Sequence, residues 1–280
     1  MHLWTIAIVI VVAGLIRAQS ISRTGTWSQR WYRGLFLLLF PVLLLWSTAI
    51  AILYMGCHGA MLGVEVGSLG CAVAASLILY SGGCWIELLY QNHRAIARLK
   101  TYPQQSFETT TARIIEIELP YSGQIGFWHP ELVVSRGLLD MLDREHLAAV
   151  LAHEQAHLYY QDTRYFFWLA WIKAISCWLP NTAVIWQELL LLRELRADSK
   201  AAQKVDFLLL AESLLIVSKA SLNPPLSWSA SFNDYSLGDR LNERIDFLLS
   251  ETKPVITKSW QNWTWLWLIF LPLLTIPLHY

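Results

Sequence analysis

The stretch LAAVLAHEQAHLYYQDT, residues 147–163, contains the pattern His153-Glu154-x-x-His157. Its apolar residues follow the spacing of an amphipathic helix. Histidines four residues apart lie on one face of a helix, so both imidazoles can bind a single metal ion. Glu154 points about 100° away from His153, where it cannot easily be a ligand but can act on a metal-bound water. The pattern predicts a zinc site with Glu154 as general base, and the alternative is an ordinary helix that carries polar residues near a core.

A catalytic zinc ion usually has three protein ligands, so we expect a third one on a nearby helix. The stretch ELLLLRELRADSKAA, residues 188–202, places Glu194 and Asp198 one turn apart on an otherwise apolar face. A carboxylate is costly to bury there unless a cation accompanies it. Glu194 is therefore the predicted third ligand, and Asp198 is predicted to accept a hydrogen bond from a ligating histidine. The alternative for both acids is a salt bridge with Arg193 or Arg196.

The rest of the chain is unusually apolar. Of its 280 residues, 55% are hydrophobic and 15% are charged, whereas soluble domains carry about 25% charged residues. The formal net charge is zero, so no basic surface favours nucleic-acid binding. A helix needs about 20 apolar residues to cross a bilayer, and a shorter one can thin the bilayer locally. Four apolar segments are therefore predicted to span a membrane: 1–16, 35–55, 66–86 and 259–280.

Positive charge predicts the orientation of these spans. No acid lies between Ala18 and Arg33, and four arginines follow the first span: Arg17, Arg23, Arg30 and Arg33. Further basic residues follow the third span: Arg94, Arg98 and Lys100. Because basic loops stay in the cytoplasm, both termini are predicted to lie outside. Charge that follows the first span, rather than preceding it, also argues against a cleaved signal peptide.

The predicted organisation has three parts: three transmembrane helices in residues 1–90, a cytoplasmic domain in 91–258, and a fourth span in 259–280. The segment YFFWLAWIKAISCWL, residues 165–179, is too short for a full span. We expect it to be buried in the domain or to lie at the membrane interface, with a fifth span as the alternative. Cys57 and Cys71 could face the same outer side, where a disulfide is an alternative to burial as small apolar side chains.

The domain is predicted to be mostly helical with a small sheet. Residues 112–118 alternate between apolar and polar side chains, which favours a strand. Residues 124–135 indicate two extended runs around a His-Pro turn. Asp143 is the predicted N-cap of the helix that carries the two histidines. Two further helices are predicted over about 181–203 and 206–222.

These motifs together resemble the gluzincin metallopeptidases: His-Glu-Gln-Ala-His at residues 153–157 is followed by Glu194-x-x-x-Asp198. Flanking spans resemble two membrane groups within them, the HtpX/CAAX-type peptidases and the BlaR/MecR-type sensor peptidases. The run GFWHPELVVSRGLLDMLDREHLAAVLAHEQAHLYYQD, residues 126–162, is similar to a stretch that both groups share. WLPN, RELRAD and LGDRLNERIDFLL resemble the BlaR type more closely. We see no exterior penicillin-binding domain, so an antibiotic-sensing role is not expected.

The resemblance implies a multi-span α-helical membrane protein with a mostly helical, zincin-like (α+β) cytoplasmic metallopeptidase domain. It implies that His153, His157 and Glu194 bind Zn²⁺, and that Glu154 is the general base and later proton donor. Asp198 would orient a zinc-bound histidine.

Three further residues are weaker candidates for the site. Asp162 matches a family acid five residues after the second histidine, and its alternative is a helix C-terminal cap. Arg244 would support the cleft, and its alternative is a salt bridge with an acid of its own helix. His129 lies in residues 124–135, the predicted edge strand for substrate, and is a candidate for contact with substrate or metal.

The leading expectation is an integral-membrane zinc endopeptidase of a bacterial inner (plasma) membrane. Its expected partners are a protein or peptide substrate and the lipid bilayer, with no nucleic acid. A second hypothesis is a signalling protease that cleaves a dedicated transcriptional repressor. A third is a non-catalytic membrane scaffold with a structural zinc, which usually has four protein ligands that include cysteines. Only Cys177 lies near the motif in sequence, which disfavours the third.

Overall fold

The computed structural model describes residues 2–20, 24–58, 60–61, 64–65, 67–107, 110–221, 236–250 and 260–278. Arg23 of the predicted basic loop lies outside these ranges, as do residues 1, 66, 259, 279 and 280 at the ends of three predicted spans. The chain divides into two compact units. The first comprises Met1–Leu89, Trp168–Leu190 and Val255–Tyr280, and the second comprises Tyr90–Phe167 and Leu191–Pro254.

The first unit contains the long apolar helices. They are α1 (His2–Arg17), α2 (Trp27–Met55), most of α3 (Ser68–Leu99) and a 3₁₀ helix (Trp260–Leu278). Between α2 and α3 lie the short paired strands β1 (Ala60–Met61) and β2 (Val64–Glu65). Helices α2 and α3 are long and apolar enough to cross a membrane, and α1 and Trp263–Pro277 are shorter apolar helices. All four predicted spans therefore fall on helices, while the multi-span topology stays a prediction.

Helix α2 begins eight residues before its apolar run because Thr26 forms a capping box. The Thr26 hydroxyl accepts from the backbone N–H of Gln29 at 3.3 Å, and Gln29 Oε1 accepts from the backbone N–H of Thr26 at 3.0 Å. Two of the four orphan donors at a helix start are satisfied in this way. The C-cap of helix α2 is Gly56, whose φ of 89° suits a residue without a side chain.

Apolar contacts join the helices of the first unit. Val9 and Ala13 of α1 are buried with Phe40 and Leu44 of α2. Near the other end of α2, Ala49 and Ile52 pack against Cys71 and Ala74 of α3. A disulfide between Cys57 and Cys71 links the end of α2 to α3. The structure thus adopts the disulfide alternative for these two cysteines.

The second unit contains a four-stranded mixed sheet in the order β3-β4-β6-β5. Its strands are β3 (Gln104–Ser106), β4 (Thr111–Ile115), β5 (Ser122–Ile125) and β6 (Glu131–Ser135). Strands β4 and β6 are parallel, and the other neighbours are antiparallel. Strand β5 therefore forms one edge of the sheet. It is joined to β6 by a turn in which Gly126 has a φ of 122°.

Strand β4 is shorter than the predicted strand over 112–118. The backbone N–H of Ile117 donates to the carbonyl of Ile115 at 3.0 Å, which turns the chain out of the sheet. The carbonyl of Ile117 then accepts from the backbone N–H of Gly137 at 2.9 Å. Alternation of polar and apolar residues continues past this turn, which is why the sequence predicted a longer strand.

The sheet shares the second unit with several helices, which include α4 (Arg136–Met141), α5 (Arg144–Tyr159), the C-terminal half of α7 (Thr182–Ala201), α8 (Phe207–Ser221) and α9 (Ser236–Leu249). On one side of α5, Val150 and Leu151 are buried with Ile114 and Leu132 of the sheet. On its other side, Ala149 and Ala152 are buried with side chains of α7, α8 and α9. Asp143 caps α5 as predicted, accepting from the backbone N–H of His146 at 2.9 Å. Helix α5, which carries His153 and His157, thus packs against other elements on two sides.

The apolar segment 165–179 falls on α6 (Asp162–Ile175) and the turn that follows it. At about 1.5 Å per residue its 14 helical residues extend about 21 Å, too short for a hydrocarbon core of about 30 Å. From Trp168 onward the helix belongs to the apolar first unit. There Trp171 Nε1 donates to the carbonyl of Ser81 at 2.7 Å, and its ring contacts Trp46. Most of this segment therefore packs with the apolar helices of the first unit.

Candidate metal centre

Three side chains from two helices meet at one point. His153 Nε2 and His157 Nε2 on α5 are 3.0 Å apart. Glu194 Oε2 on α7 lies 3.2 Å from His153 Nε2 and 3.6 Å from His157 Nε2. Tetrahedral zinc with bonds of 2.0–2.1 Å separates its ligand atoms by about 3.3 Å. The three atoms therefore have the spacing of zinc ligands, and their role as zinc ligands stays a prediction.

Two carboxylates lie behind the histidines. Asp162 Oδ2 is 2.7 Å from His157 Nδ1, and Asp198 Oδ1 is 2.8 Å from His153 Nδ1. The His157 contact is a hydrogen bond, whereas the His153 contact is equally short but poorly aligned. Each carboxylate favours the tautomer with the proton on Nδ1, which leaves Nε2 as a lone pair. Two lone pairs and a carboxylate oxygen then point at one another, which is favourable only if a cation lies between them.

The charge state of the cluster agrees with this. Burial by itself lowers the pKa of His153, but Asp198 and Glu194 outweigh it and raise that pKa to about 9. Burial opposes ionisation of Glu194, yet the two imidazoles and Arg193 hold its pKa well below the usual range. The carboxylates around the two imidazoles thus favour positive charge at this point. The donor set fits a divalent metal of the zinc class.

Each of the three carboxylates that contact the histidines also accepts hydrogen bonds from an arginine. Arg193 donates to Glu194 Oε1 at 2.6 Å, which leaves Oε2 facing the histidines. Arg244 of α9 donates to both oxygens of Asp198, at 2.7 and 2.8 Å. The alternative of a Glu194–Arg193 salt bridge is therefore present together with the ligand geometry, because the two interactions use different oxygens.

Asp162 pairs with Arg196, whose Nη2 donates a hydrogen bond to Asp162 Oδ1. Asp162 is thus held between Arg196 and His157, and it does not act as the C-terminal cap that was its alternative. Arg244 pairs with Asp198 instead of with an acid of its own helix. The sequence offered the Arg193 salt bridge only as an alternative to a ligand role for Glu194, whereas the structure has both arrangements together.

Glu154 is buried, and one of its carboxylate oxygens contacts strand β5. The hydroxyl of Ser122 donates to Glu154 Oε1 at 2.8 Å. The Gln124 amide donates to the Glu154 carbonyl at 3.4 Å. Nothing in the sequence pointed to Ser122 as the partner of the general base, because the contact joins two elements 32 residues apart.

His129 is exposed in the turn between β5 and β6. Among the described residues, the cluster that can hold a metal consists of His153, His157 and Glu194, and His129 is not part of it. The structure therefore gives His129 no place among the metal ligands, and contact with substrate stays a prediction.

We predict that Asp162→Asn weakens zinc binding by about 10- to 100-fold, because the amide can no longer hold His157 in the ligating tautomer. Competition with a fluorescent zinc chelator measures the dissociation constant. Asp140→Asn, an exposed acid of α4, is the matched control and should bind zinc like the parent protein. Equal affinities in the two variants would rule out an orienting role for Asp162.

A buried His-His-Glu set on two helices beside a small mixed sheet defines a candidate metallopeptidase site. Residues 97–222, somewhat less than half of the chain, match the model of Peptidase family M48. The matched region contains the histidine helix and the acids on α7, and it points to a metallopeptidase hydrolase. The search of curated proteins and the search of solved structures found no match. The narrower resemblance to the BlaR/MecR type stays a prediction.

Proposed function

We propose that the chain is a membrane-anchored zinc endopeptidase that hydrolyses peptide bonds in a protein substrate. The observation that carries the proposal is the convergence of His153, His157 and Glu194 beside Glu154. Among the described residues the cluster offers three ligands, which leaves a fourth position for water or substrate. A structural zinc site normally has four protein ligands, so the three-ligand set disfavours the scaffold hypothesis.

His153, His157 and Glu194 would hold a zinc ion, which would supply Lewis acidity and a water of lowered pKa. Side chains of the protein transfer the proton and position the reacting groups. Glu154 takes the proton of the attacking water and passes it to the leaving amine. Ser122 holds one Glu154 oxygen by a hydrogen bond, which fixes the direction from which the carboxylate acts. Arg193, Asp162 and Asp198 keep the ligand atoms in place.

Strand β5 supplies a position for an extended substrate. The Tyr121 carbonyl accepts from the backbone N–H of Ser135 at 2.9 Å, so residue 121 faces β6. Main-chain groups alternate in direction along an antiparallel strand, so those of Ser122 and Gln124 face the free edge. A peptide can add to that edge by main-chain hydrogen bonds. The side chains of the same two residues contact Glu154, which brings the paired substrate next to the general base.

The proposed location is a bacterial plasma membrane, with four spans, both termini outside and residues 91–258 in the cytoplasm. Large apolar side chains on α1 and the 3₁₀ helix favour lipid contact: Trp4 is 71% exposed and Trp267 is 78% exposed. Such surfaces are unfavourable in water. The disulfide between Cys57 and Cys71 fits a loop on the oxidising side, where the positive charges predict it.

A more specific hypothesis is that the substrate is a dedicated transcriptional repressor. It is favoured by the resemblance of WLPN and RELRAD to the BlaR type. An adjacent gene for a winged-helix repressor would support it, and cleavage of that repressor by the purified protein would test it.

Metal removal tests the proposed chemistry. We expect the full chain in detergent to lose casein cleavage after dialysis against a chelator and to regain it with one equivalent of zinc. His157→Ala should fail to recover because a ligand is missing, whereas His93→Ala, at an exposed histidine of α3, should recover like the parent protein. Zinc content is measured in each sample. Undiminished cleavage by metal-free protein would overturn the proposal.

A further inference from the structure

A group of exposed aromatic and basic side chains lies around the turn between α5 and α6. We call it the basic-aromatic face, and it consists of Trp128, Tyr159, Arg164, Tyr165, Lys200 and Lys204. The three aromatic residues are each more than half exposed. All six belong to the second unit of the chain.

Two cation–aromatic contacts pair four of these residues. The Arg164 guanidinium lies 5.4 Å from the centre of the Trp128 ring, and the Lys200 ammonium lies 4.7 Å from that of Tyr159. Lys204 is held to α5 by a 3.0 Å hydrogen bond to the side chain of Gln155. The first contact joins the turn between β5 and β6 to the start of α6, and the second joins the end of α5 to the end of α7.

The positive charge of this face is not neutralised by the protein. Arg164, Lys200 and Lys204 donate to side-chain oxygens of glutamines, at 3.0–3.1 Å. Among the described residues, none of these three cations lies within ion-pair distance of a carboxylate. The arginines of the metal centre differ, since Arg193, Arg196 and Arg244 each have one. The face therefore has three positive charges to offer to an external anion.

Exposed Trp and Tyr next to Arg and Lys is the composition of surfaces at the boundary of a bilayer. Aromatic rings enter the headgroup region, while the cations attract anionic lipids. Tyr165 is also only three residues before Trp168, where the chain enters the apolar unit. This continuity favours a bilayer over an acidic protein as the partner.

We infer that the basic-aromatic face binds anionic phospholipid headgroups of the bilayer in which the chain is anchored. The inference rests on the membrane placement proposed above and not on the peptidase chemistry. It bears on the metal centre, because the same turn carries Asp162. Gln161, with a φ of 54°, turns the chain between Tyr159 and that acid. Lipid contact on both sides of the turn would hold Asp162 against His157.

The test uses the full chain in nanodiscs of phosphatidylcholine, alone or mixed with phosphatidylglycerol. Tyr165 is replaced with photoreactive benzoylphenylalanine, and lipid adducts are identified by mass spectrometry. We expect phosphatidylglycerol adducts to exceed phosphatidylcholine adducts per mole of lipid. Arg164→Gln, Lys200→Gln and Lys204→Gln together should remove the preference, because each cation near an anionic surface contributes about fivefold.

The control removes the same charge elsewhere, by Arg136→Gln, Arg144→Gln and Lys219→Gln, and should leave the preference intact. Equal adducts with both lipids, adducts with a copurified protein, or equal loss in the control would overturn the inference. Zinc content equal to that of the parent shows that each variant is folded. Extraction with alkaline carbonate separates the two proposals. A chain that washes out of membranes contradicts the membrane placement, whereas a retained chain with no lipid preference contradicts the inference alone.

Discussion

Glu154→Gln is expected to lower peptide hydrolysis by about 10²- to 10⁴-fold while zinc stays bound. Glutamine keeps the shape of glutamate and can still accept the hydrogen bond from Ser122, but it cannot take a proton from the attacking water. The ligand atoms are unchanged, because Glu154 is not one of the three clustered residues that can hold a metal ion. Turnover of a casein-like substrate and zinc content, measured on the same preparation, check both parts.

Glu145→Gln is the control for this change, because Glu145 lies on the same helix in its exposed first turn. It should leave turnover and zinc content as they are. Cleavage by the Glu154 variant at the rate of the control would remove Glu154 from the mechanism. Simultaneous loss of zinc and activity would make Glu154 part of the metal environment instead of the base.

Arg244→Met is expected to destabilise the second unit by about 3–5 kcal/mol, because it leaves the carboxylate of Asp198 buried without its cation. Asp198 is fully buried and Arg244 is its bidentate partner. For a domain of this size the loss corresponds to a fall of roughly 10 °C in the unfolding midpoint. Thermal unfolding of the full chain in one detergent measures it.

An exposed ion pair of the same unit provides the comparison. Arg136 pairs with Glu116 at 3.0 Å, and both side chains are about half exposed. Arg136→Met should therefore cost no more than about 1 kcal/mol. Similar midpoints for the two methionine variants would show that Asp198 does not depend on Arg244. Lower zinc affinity in the Arg244 variant alone would show in addition that Asp198 supports His153.

Features that depend on one helix could be predicted from the sequence. The helical period places His153 and His157 on one face of their helix. It places Glu194 and Asp198 on one face of theirs in the same way. The caps at Asp143 and the start of α7 near Thr182 follow from local chemistry. The match with Peptidase family M48 supports the metallopeptidase prediction that these patterns gave.

Features that depend on which elements meet could not be predicted in the same way. The contact of Ser122 with Glu154 joins the sheet edge to α5, and that of Arg244 with Asp198 joins α9 to α7. The periodicity of apolar residues shows which face of a helix or strand is buried. It does not show which other element packs against that face. The end of β4 at Ile115 depends on a hydrogen bond formed after the strand, and the packing of Trp171 depends on helices distant in sequence.

The bond between Cys57 and Cys71 has a consequence for how the protein is made. Glutathione and thioredoxin keep thiols of the cytoplasm reduced, so a linked pair forms only where the turn after α2 has reached an oxidising compartment. The ligands of the metal centre contain no thiol and have no such requirement. The oxidation state of two cysteines far from the metal in sequence is thus a record of the side to which that turn was delivered during synthesis. It can be determined on protein whose peptidase activity has been lost.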